Sequence, residues 1–149
     1  MPGNAAIRTI HLVDAEATRA LGASLASQLG GGEVLLLKGN LGAGKTCLVQ
    51  GLAAAMGIEE PVTSPTFALA QHYRAPDGRA LVHLDLYRLE LPPSADELFH
   101  QEREEAEALG ALMAVEWPER MSHAPPDAWT LHLEPDGEGR RGRLIPPAD

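Results

Sequence analysis

The stretch that decides the fold runs from Val34 to Thr46 and reads Val-Leu-Leu-Leu-Lys-Gly-Asn-Leu-Gly-Ala-Gly-Lys-Thr. Gly39, Gly44, Lys45 and Thr46 fill the pattern G-x-x-x-x-G-K-[ST], which is the phosphate-binding P-loop. Glycines let the backbone turn tightly, so successive N–H groups can point at phosphate oxygens. A helix that begins near Gly44 adds unpaired N–H donors and the positive end of its dipole. Lys45 can reach the β- and γ-phosphates and the Thr46 hydroxyl can ligate Mg²⁺, so the loop predicts a site for a nucleoside triphosphate.

Both flanks of the loop have the form that the motif requires. Val34–Leu37 is an apolar run of strand length, and apolar residues recur at helical spacing from Leu48 to Met56. Gly57 then stands where a glycine commonly ends a helix. The alternative is a glycine-rich turn between two core elements, and the agreement of both flanks with the motif disfavours it.

Composition predicts a single domain that covers residues 1–149. The chain is 44% hydrophobic, which suits one compact core, and no apolar run approaches the length of a membrane span. Residues 1–4 lack the basic and apolar regions of a signal peptide. Cys47 is the only cysteine, so an intrachain disulfide is impossible, and a small packed side chain is favoured over a reactive thiol. We therefore expect a reducing, cytoplasmic setting and no membrane.

The net charge of −9 bears on partners. Such a surface repels nucleic acid, so any link to RNA should run through a partner protein or one small basic patch. Arg140, Arg141 and Arg143 form the one basic cluster of the sequence. Ordinary solvated charges on a hairpin are favoured over a binding patch there.

Hydrophobic periodicity predicts alternating strands and helices. Helices are expected at Ala15–Leu29 with Asp14 as its cap, directly after the P-loop, and at Ala95–Leu109 with Ser94 as its cap. The glutamates of the last helix are typical of a solvated face. Strands are predicted at Ile7–Val13, Val34–Leu37, Phe67–Arg74, Arg79–Leu86, Ala111–Val115, Trp129–Glu134 and Arg141–Ile145, with hairpin turns at Ala75–Gly78 and Asp136–Gly139. This order predicts an α/β fold, a P-loop NTPase-like three-layer sandwich with a mostly parallel central sheet and antiparallel additions.

Two acids outside the loop are candidates for the metal and for hydrolysis. Glu116 ends an apolar strand that resembles a Walker B strand, and ligands of open α/β sheets sit at the carboxyl ends of the strands. It could also merely begin a surface loop. Asp85 shares one strand face with His83 and Tyr87, and alternation alone leaves open whether that face meets solvent or a site.

Other polar groups are less specific. The loop Val62-Thr63-Ser64-Pro65-Thr66-Phe67 could bring hydroxyls to the γ-phosphate or could be a proline-stiffened approach to a strand. The six histidines have no metal-ligand spacing with the lone cysteine, so a zinc site is not expected. The chain lacks an Asn-Lys-x-Asp sequence of the kind that reads guanine, so ATP is preferred over GTP.

With these residues in hand, the chain resembles the bacterial tRNA threonylcarbamoyladenosine biosynthesis ATPases of the TsaE type over roughly residues 14–120. The P-loop alone is shared by many unrelated proteins. The resemblance rests on the order and spacing of the segments 39–46, Thr63-Ser64-Pro65-Thr66-Phe67, His83-Leu84-Asp85-Leu86-Tyr87-Arg88-Leu89 and Val115-Glu116-Trp117-Pro118-Glu119-Arg120.

The resemblance implies a small ATPase that works with a threonylcarbamoyl transferase subunit and its paralogous scaffold protein on adenosine 37 of tRNA. Family members are thought to reset that complex through ATP hydrolysis, with tRNA touched only through the complex. The resemblance implies Lys45 and Asp85 as catalytic residues, and Thr46 and Glu116 as Mg²⁺ ligands. Its nucleotide-binding positions are Gly39, Asn40, Leu41, Gly42, Ala43, Gly44, Lys45, Thr46, Cys47 and Trp117.

The sequence departs from the family at Asn40, where many members have Asp, and at Cys47, where Thr is common. Neither change should prevent phosphate binding, because the backbone does that work. Two other function classes stay open from the sequence. One is a P-loop kinase for a small metabolite, which usually needs several lid arginines, whereas Arg88, Arg103 and Arg120 are scattered. The other is a nucleotide-dependent binding module without meaningful turnover.

Overall fold

A computed structural model describes residues 6–40, 42, 44–63 and 69–148 of the chain. Most of the predicted elements are confirmed, with ends that shift by a few residues. The strands are β1 (Arg8–Leu12), β2 (Val34–Lys38), β3 (Ala70–Arg74), β4 (Ala80–Asp85), β5 (Leu112–Glu116), β6 (Trp129–Asp136) and β7 (Gly139–Ile145). The helices are α1 (Ala15–Gln28), α2 (Lys45–Ala55) and α3 (Pro92–Leu109), and a short 3₁₀ turn covers Pro118–Arg120.

All seven of these strands belong to one mixed sheet in the order β1-β7-β6-β2-β5-β4-β3. The central four, β6, β2, β5 and β4, are parallel to one another, and β1, β7 and β3 are joined by antiparallel pairing. The predicted parallel centre with antiparallel additions is therefore confirmed, although the described sheet has as many antiparallel pairs as parallel ones. Two of the antiparallel pairs, β3–β4 and β6–β7, are hairpins, and short turns can join only antiparallel neighbours. The third pairs β1 with β7, from distant parts of the chain.

The sheet is covered on both faces, which explains the continuous apolar runs of β2 and β5. Leu35 and Leu37 of β2 pack with residues of α1 and α2, whereas Val34 and Leu36 pack with residues of α3. Successive residues of a strand belong alternately to the two cores, since neighbouring side chains of a strand point to opposite faces. The glycine loop that follows β2 leads into α2, so it lies on the α1–α2 side.

Backbone contact between α1 and α2 fixes the position of the loop helix. A Cβ atom on Gly22 of α1 would lie 2.2 Å from the carbonyl oxygen of Leu48 in α2. A Cβ atom on Gly51 of α2 would lie 2.0 Å from the carbonyl oxygen of Arg19 in α1. Only glycine permits such a close approach, so these two positions dock α2 on α1.

The helix caps were predicted correctly for α1 and wrongly for α3. The Asp14 side chain accepts a hydrogen bond from the Ala17 N–H at 2.8 Å, as an N-cap should. Ser94 does not cap α3, which begins at Pro92 with Leu91 at the N-cap position. Proline is well tolerated in the first turn, because its missing N–H would have no helical partner there.

Three other differences concern the ends of strands and the acidic helix face. Residues 64–68 lie outside the described part of the chain, so the first residues of the predicted Phe67–Arg74 strand are not assessed, and β3 is described from Ala70. The last hairpin turns over residues 137 and 138, because β6 and β7 extend further than predicted. Glutamates of α3 are exposed as predicted, apart from Glu102, which bonds His72 at 2.6 Å.

Among the described helices, none is long and apolar enough to cross a membrane.

Candidate functional site

The glycine loop follows the carboxyl end of β2 and adopts a backbone that favours glycine. Gly39, Gly42 and Gly44 have φ angles of 152°, 81° and 102°. Gly44 is the N-cap of α2 and brings no side chain to cap it. The Leu48 N–H makes the first helical bond, to the Gly44 carbonyl at 3.0 Å. The N–H groups of residues 45–47 precede that bond and are therefore available to an anion.

The other predicted loop residues differ in their exposure to solvent. Asn40 is exposed, and Thr46 and Cys47 are half-buried in the first turn of α2. Leu41 and Ala43 lie outside the described residues. Any contribution of Cys47 to phosphate binding would come from its backbone N–H.

Lys45 is buried at the start of α2. Its Nζ donates to the Gly39 carbonyl oxygen at 2.7 Å and lies 4.0 Å from the centroid of the Trp117 ring. Burial lowers the pKa of Lys45, and the nearby carboxylates of Glu116, Asp85 and Glu119 act in the opposite direction. The lysine is thus held at the loop with acids on its other side.

Those acids come from the two strands beside β2. Asp85 and Glu116 are register partners at the carboxyl ends of the parallel strands β4 and β5, and Glu116 is also paired with Leu37 of β2. Alternation puts Asp85 on the α1–α2 side, since its neighbours Leu84 and Leu86 pack in the α3 core. The open question about this strand face is answered, because it is turned toward the glycine loop.

Asp85 is half-buried, and its pKa is higher than that of an exposed aspartate. Burial raises its pKa, and the Glu116 carboxylate adds to the rise, whereas the Tyr87 N–H, His83 and Lys45 oppose it. The Tyr87 N–H donates to Asp85 Oδ1 at 3.0 Å, which fixes the carboxylate at the strand end. Asp85 is thus held at the strand end as a half-buried carboxylate whose pKa is raised above that of an exposed aspartate.

Glu116 is almost fully buried and is held by a residue to which sequence reasoning gave no role. His83 Nε2 and Glu116 Oε2 are 2.7 Å apart, and the His83 side chain is wholly buried. His83 Nδ1 has no hydrogen-bond partner in the described part of the structure. The spacing of His83 two residues before Asp85 on one strand face was the available signal. Glu116 does not begin a surface loop, so that alternative is excluded.

Trp117 lies next to Glu116 in an unusual backbone conformation. Its φ of 59° is in the left-handed region, which a bulky side chain rarely adopts. The Tyr87 ring lies 4.8 Å from its ring, and the Arg120 guanidinium carbon lies 5.9 Å from it. Together with Lys45, these groups form an aromatic and cationic wall beside the loop, and a strained residue of this kind is a common feature of functional sites.

Arg140 is a further residue that sequence reasoning missed. The sequence favours solvated charges over a binding patch for its cluster, yet its Nη2 donates to the Gly42 carbonyl oxygen at 3.3 Å across a separation of 98 residues. The local sequence carries no signal for this contact, because only the sheet order brings β7 near the loop.

The residues present suit Mg²⁺ held together with phosphates. Among the described His, Cys, Asp and Glu residues, no group of three or more could hold a metal by itself. Magnesium is commonly held by one or two protein oxygens together with phosphate oxygens and water. Thr46 at the loop helix and the Glu116 carboxylate at the adjacent strand end supply oxygens of that kind.

The loop Val62-Thr63-Ser64-Pro65-Thr66-Phe67 is described only in part. Gln50 of α2 donates to the Val62 carbonyl oxygen at 3.1 Å, which ties the start of this loop to the helix that follows the glycine loop. Ser64, Pro65, Thr66 and Phe67 lie outside the described residues, so their predicted role near the γ-phosphate stays a prediction.

Comparison with known proteins identifies relatives over most of the chain. The family model described as "Threonylcarbamoyl adenosine biosynthesis protein TsaE" matches residues 12–143. A protein of Nostoc sp. named tRNA threonylcarbamoyladenosine biosynthesis protein TsaE is 43% identical over 93% of this chain and 85% of its own length. A Mycobacterium tuberculosis protein of the same name is 43% identical over 76% of this chain and 70% of its own.

A solved structure has the same architecture. The crystal structure of Bacillus subtilis YdiB superposes with a TM-score of 0.70 at 26% identity and covers 96% of this chain and 87% of that one. The mixed sheet with its three helices is therefore an arrangement already seen in an experimental structure.

Proposed function

This chain belongs to the threonylcarbamoyl adenosine biosynthesis protein TsaE family, and on that premise we propose that it is an ATP-binding and ATP-hydrolysing accessory subunit in tRNA threonylcarbamoyladenosine biosynthesis. Its hydrolysis would reset the complex that modifies adenosine 37 between turnovers. The proposed partners are a threonylcarbamoyl transferase subunit and its paralogous scaffold protein, with cytoplasm as the setting. The fold is interpreted as a P-loop NTPase-like three-layer sandwich, with the helices on both sheet faces as support.

One observation carries the ATPase proposal. A buried lysine at the end of a glycine loop faces two carboxylates from the neighbouring strand ends, Asp85 and Glu116. Phosphoryl transfer depends on positioning and charge stabilisation, and these groups supply a cation for phosphate oxygens and acids for metal and water. A loop for anion binding alone would not need the two acids.

The proposed chemistry divides these roles. The amides of the first turn of α2 and Lys45 bind the phosphate chain, and Thr46 and Glu116 would hold Mg²⁺, which when bound neutralises phosphate charge. Asp85 orients a water molecule and accepts its proton. The water oxygen bonds to the γ-phosphorus while the bond to the β–γ bridging oxygen breaks, and ADP departs with that electron pair.

Partner binding is proposed to control turnover, and tRNA contact is proposed to run through the partners. The charge of −9 opposes direct binding to a polyanion. A metabolite kinase is a weaker proposal, because Arg103 pairs with Asp127 and Arg120 lies over Tyr87 and Trp117. Arg103 is held in this ion pair on α3, which packs on the sheet face opposite the glycine loop, so it is not placed to clamp a transferred phosphoryl group.

The decisive experiment measures phosphate release from ATP by the chain alone and with the transferase pair. We expect weak release alone and a marked rise with the partners. Release that depends on a small-metabolite acceptor, and not on the partners, would favour the kinase. ATP binding without release under either condition would favour a binding module.

A variant pair connects this activity to the loop. Lys45→Ala should abolish ATP binding or turnover, because it removes the cation that reaches the phosphates. Lys38 is the other lysine of the chain and follows Leu37 in β2, so it points to the opposite sheet face. Lys38→Ala is therefore the matched control and should retain activity.

A further inference from the structure

Arg140 crosses from the last hairpin to the glycine loop. It is the second residue of β7, in register with Pro135 of β6 and Leu12 of β1. Its Nη2 donates to the Gly42 carbonyl oxygen at 3.3 Å. A Cβ atom on Gly44 would lie 3.0 Å from Arg140 Nε and 3.3 Å from its Cζ, so the guanidinium packs directly against the loop.

The charge of Arg140 is not neutralised by a carboxylate among the described residues. Its neighbour Arg141 lies 3.6 Å from Glu134, and on α3 Arg103 pairs with Asp127. An arginine has five N–H donors in a planar fork. Of those of Arg140, an Nη2 N–H donates to the Gly42 carbonyl. Unpaired guanidinium donors beside a loop built for anions are well matched to phosphate oxygens.

The strand order places Arg140 and the two acids on opposite sides of β2. β6 and β7 lie on one side of β2, whereas β5 and β4, which carry Glu116 and Asp85, lie on the other. Arg140 therefore approaches the glycine loop from the side opposite the groups assigned to metal and water. A cation there can contact the phosphate chain without approaching the attacking water.

We propose that Arg140 is a nucleotide-binding residue that holds the phosphate chain of ADP and ATP from the side of the loop opposite Asp85 and Glu116. This inference rests on the proposed function, since it assumes that the loop binds a nucleotide. It assigns Arg140 to affinity for the α- and β-phosphates, which ADP and ATP share. The contact to Gly42 holds the guanidinium at the loop.

The test compares Arg140→Ala, Arg140→Lys and Arg141→Ala with the unmodified chain. Calorimetry measures Kd for ADP and for ATP, and steady-state kinetics with the transferase pair measure kcat. Arg140→Ala should weaken both nucleotides by a similar factor of about 10- to 100-fold, as expected when a charge-assisted hydrogen bond is lost. Arg140→Lys should recover part of the affinity because it keeps the charge. Arg141→Ala should match the unmodified chain, and kcat at saturating ATP should change little in all three.

Several results would overturn the inference. An unchanged Kd in Arg140→Ala would exclude the contact, and a fall in kcat at unchanged Kd would make Arg140 a catalytic residue. If Arg140→Lys were no better than Arg140→Ala and both lowered the thermal unfolding temperature without nucleotide, Arg140 would only brace the loop. If the unmodified chain bound neither nucleotide, the proposed function would fail and this inference with it. Binding by the unmodified chain with no effect of Arg140→Ala would remove this inference alone.

Discussion

Lys45 is buried at the glycine loop and is held there by two neighbouring groups. Its ammonium donates to the Gly39 carbonyl and lies over the Trp117 ring, two weak partners compared with a phosphate. Burial lowers its pKa, so the protonated form is less favoured than in an exposed lysine. A bound phosphate would replace these partners with a stronger one, which gives the residue a physical reason to bind anions.

Asp85 should control hydrolysis and not nucleotide affinity. Asp85→Asn keeps the shape but cannot accept a proton, so kcat should fall by about 100-fold or more while the Kd for ATP stays near that of the unmodified chain. Asp77→Asn is the control, since Asp77 lies in the turn at the other end of β4. A collapse of ATP affinity in Asp85→Asn would show that this role is wrong.

The same carboxyl predicts the acid side of the pH profile. Because burial raises the pKa of Asp85 above its ordinary value of 3.8, hydrolysis should fall with decreasing pH through a midpoint above 3.8. The carboxylate form that accepts the proton predominates above that midpoint and becomes the minor form below it. The measurement is kcat against pH at saturating ATP and Mg²⁺, over a range in which circular dichroism shows the chain folded. An acid limb that persists unchanged in Asp85→Asn would assign it to another group.

Substitution of His83 should lower the stability of the fold, whereas substitution of Glu116 should weaken Mg²⁺ binding. His83→Ala leaves the buried Glu116 carboxylate without its partner and should lower the free energy of unfolding by about 2–4 kcal/mol. Glu116→Gln can still accept from His83 Nε2, so it should remain stable but raise the Mg²⁺ concentration for half-maximal hydrolysis by about tenfold or more. Urea unfolding and a Mg²⁺ titration measure the two effects. An unchanged titration in Glu116→Gln would remove Glu116 from the metal site.

At the scale of elements, the position of α2 is set by its packing against α1. Its N-terminus forms the glycine-loop site, while Gly51 in its middle meets the backbone of α1. Gln50 also joins α2 to the loop that starts at Val62. The site therefore depends on helix packing as well as on the residues that would contact phosphate.

Gly51→Ala tests this dependence. The added methyl would lie 2.0 Å from the Arg19 carbonyl oxygen, so the two helices must separate, and the free energy of unfolding should fall by about 3 kcal/mol or more. Nucleotide affinity should fall as well, because α2 carries the loop. Gly30→Ala is the control, since its Cβ would come no closer than 3.9 Å, to Glu33 Oε1. Urea unfolding of both variants gives the comparison, and equal stability would mean that α1 and α2 are not in backbone contact.

At the scale of the whole molecule, the sheet separates two kinds of charge around one loop. Acids approach from β4 and β5, and Arg140 approaches from β7. The overall charge of the chain is −9. Such a surface suits a small anion at one point and a protein partner elsewhere.

Direct binding to tRNA should therefore be weak. At physiological salt we expect the chain alone to bind tRNA with a Kd weaker than about 100 μM, because it offers few cations to release counterions. A gel-shift titration of the chain alone, and of the chain with the transferase pair, measures this. Tight binding by the chain alone that weakens steeply with salt would contradict the prediction.

The sequence by itself determined the elements, the loop and the family. Local signals sufficed for these: Val34–Leu37 is apolar, the glycines of the loop suit a tight turn, and Asp14 is a capping residue. The same kind of signal failed at Ser94, because the two prolines before it can themselves begin a helix.

The tertiary structure alone decided which distant residues meet. The His83–Glu116 pair, the ring of Trp117 over Lys45 and the reach of Arg140 to Gly42 all join segments far apart in sequence. Side-chain alternation tells which residues share a strand face, but it does not tell which strands are neighbours. Strand order follows from the packing of the entire sheet, and so the two charged flanks of the loop appear only in the folded chain.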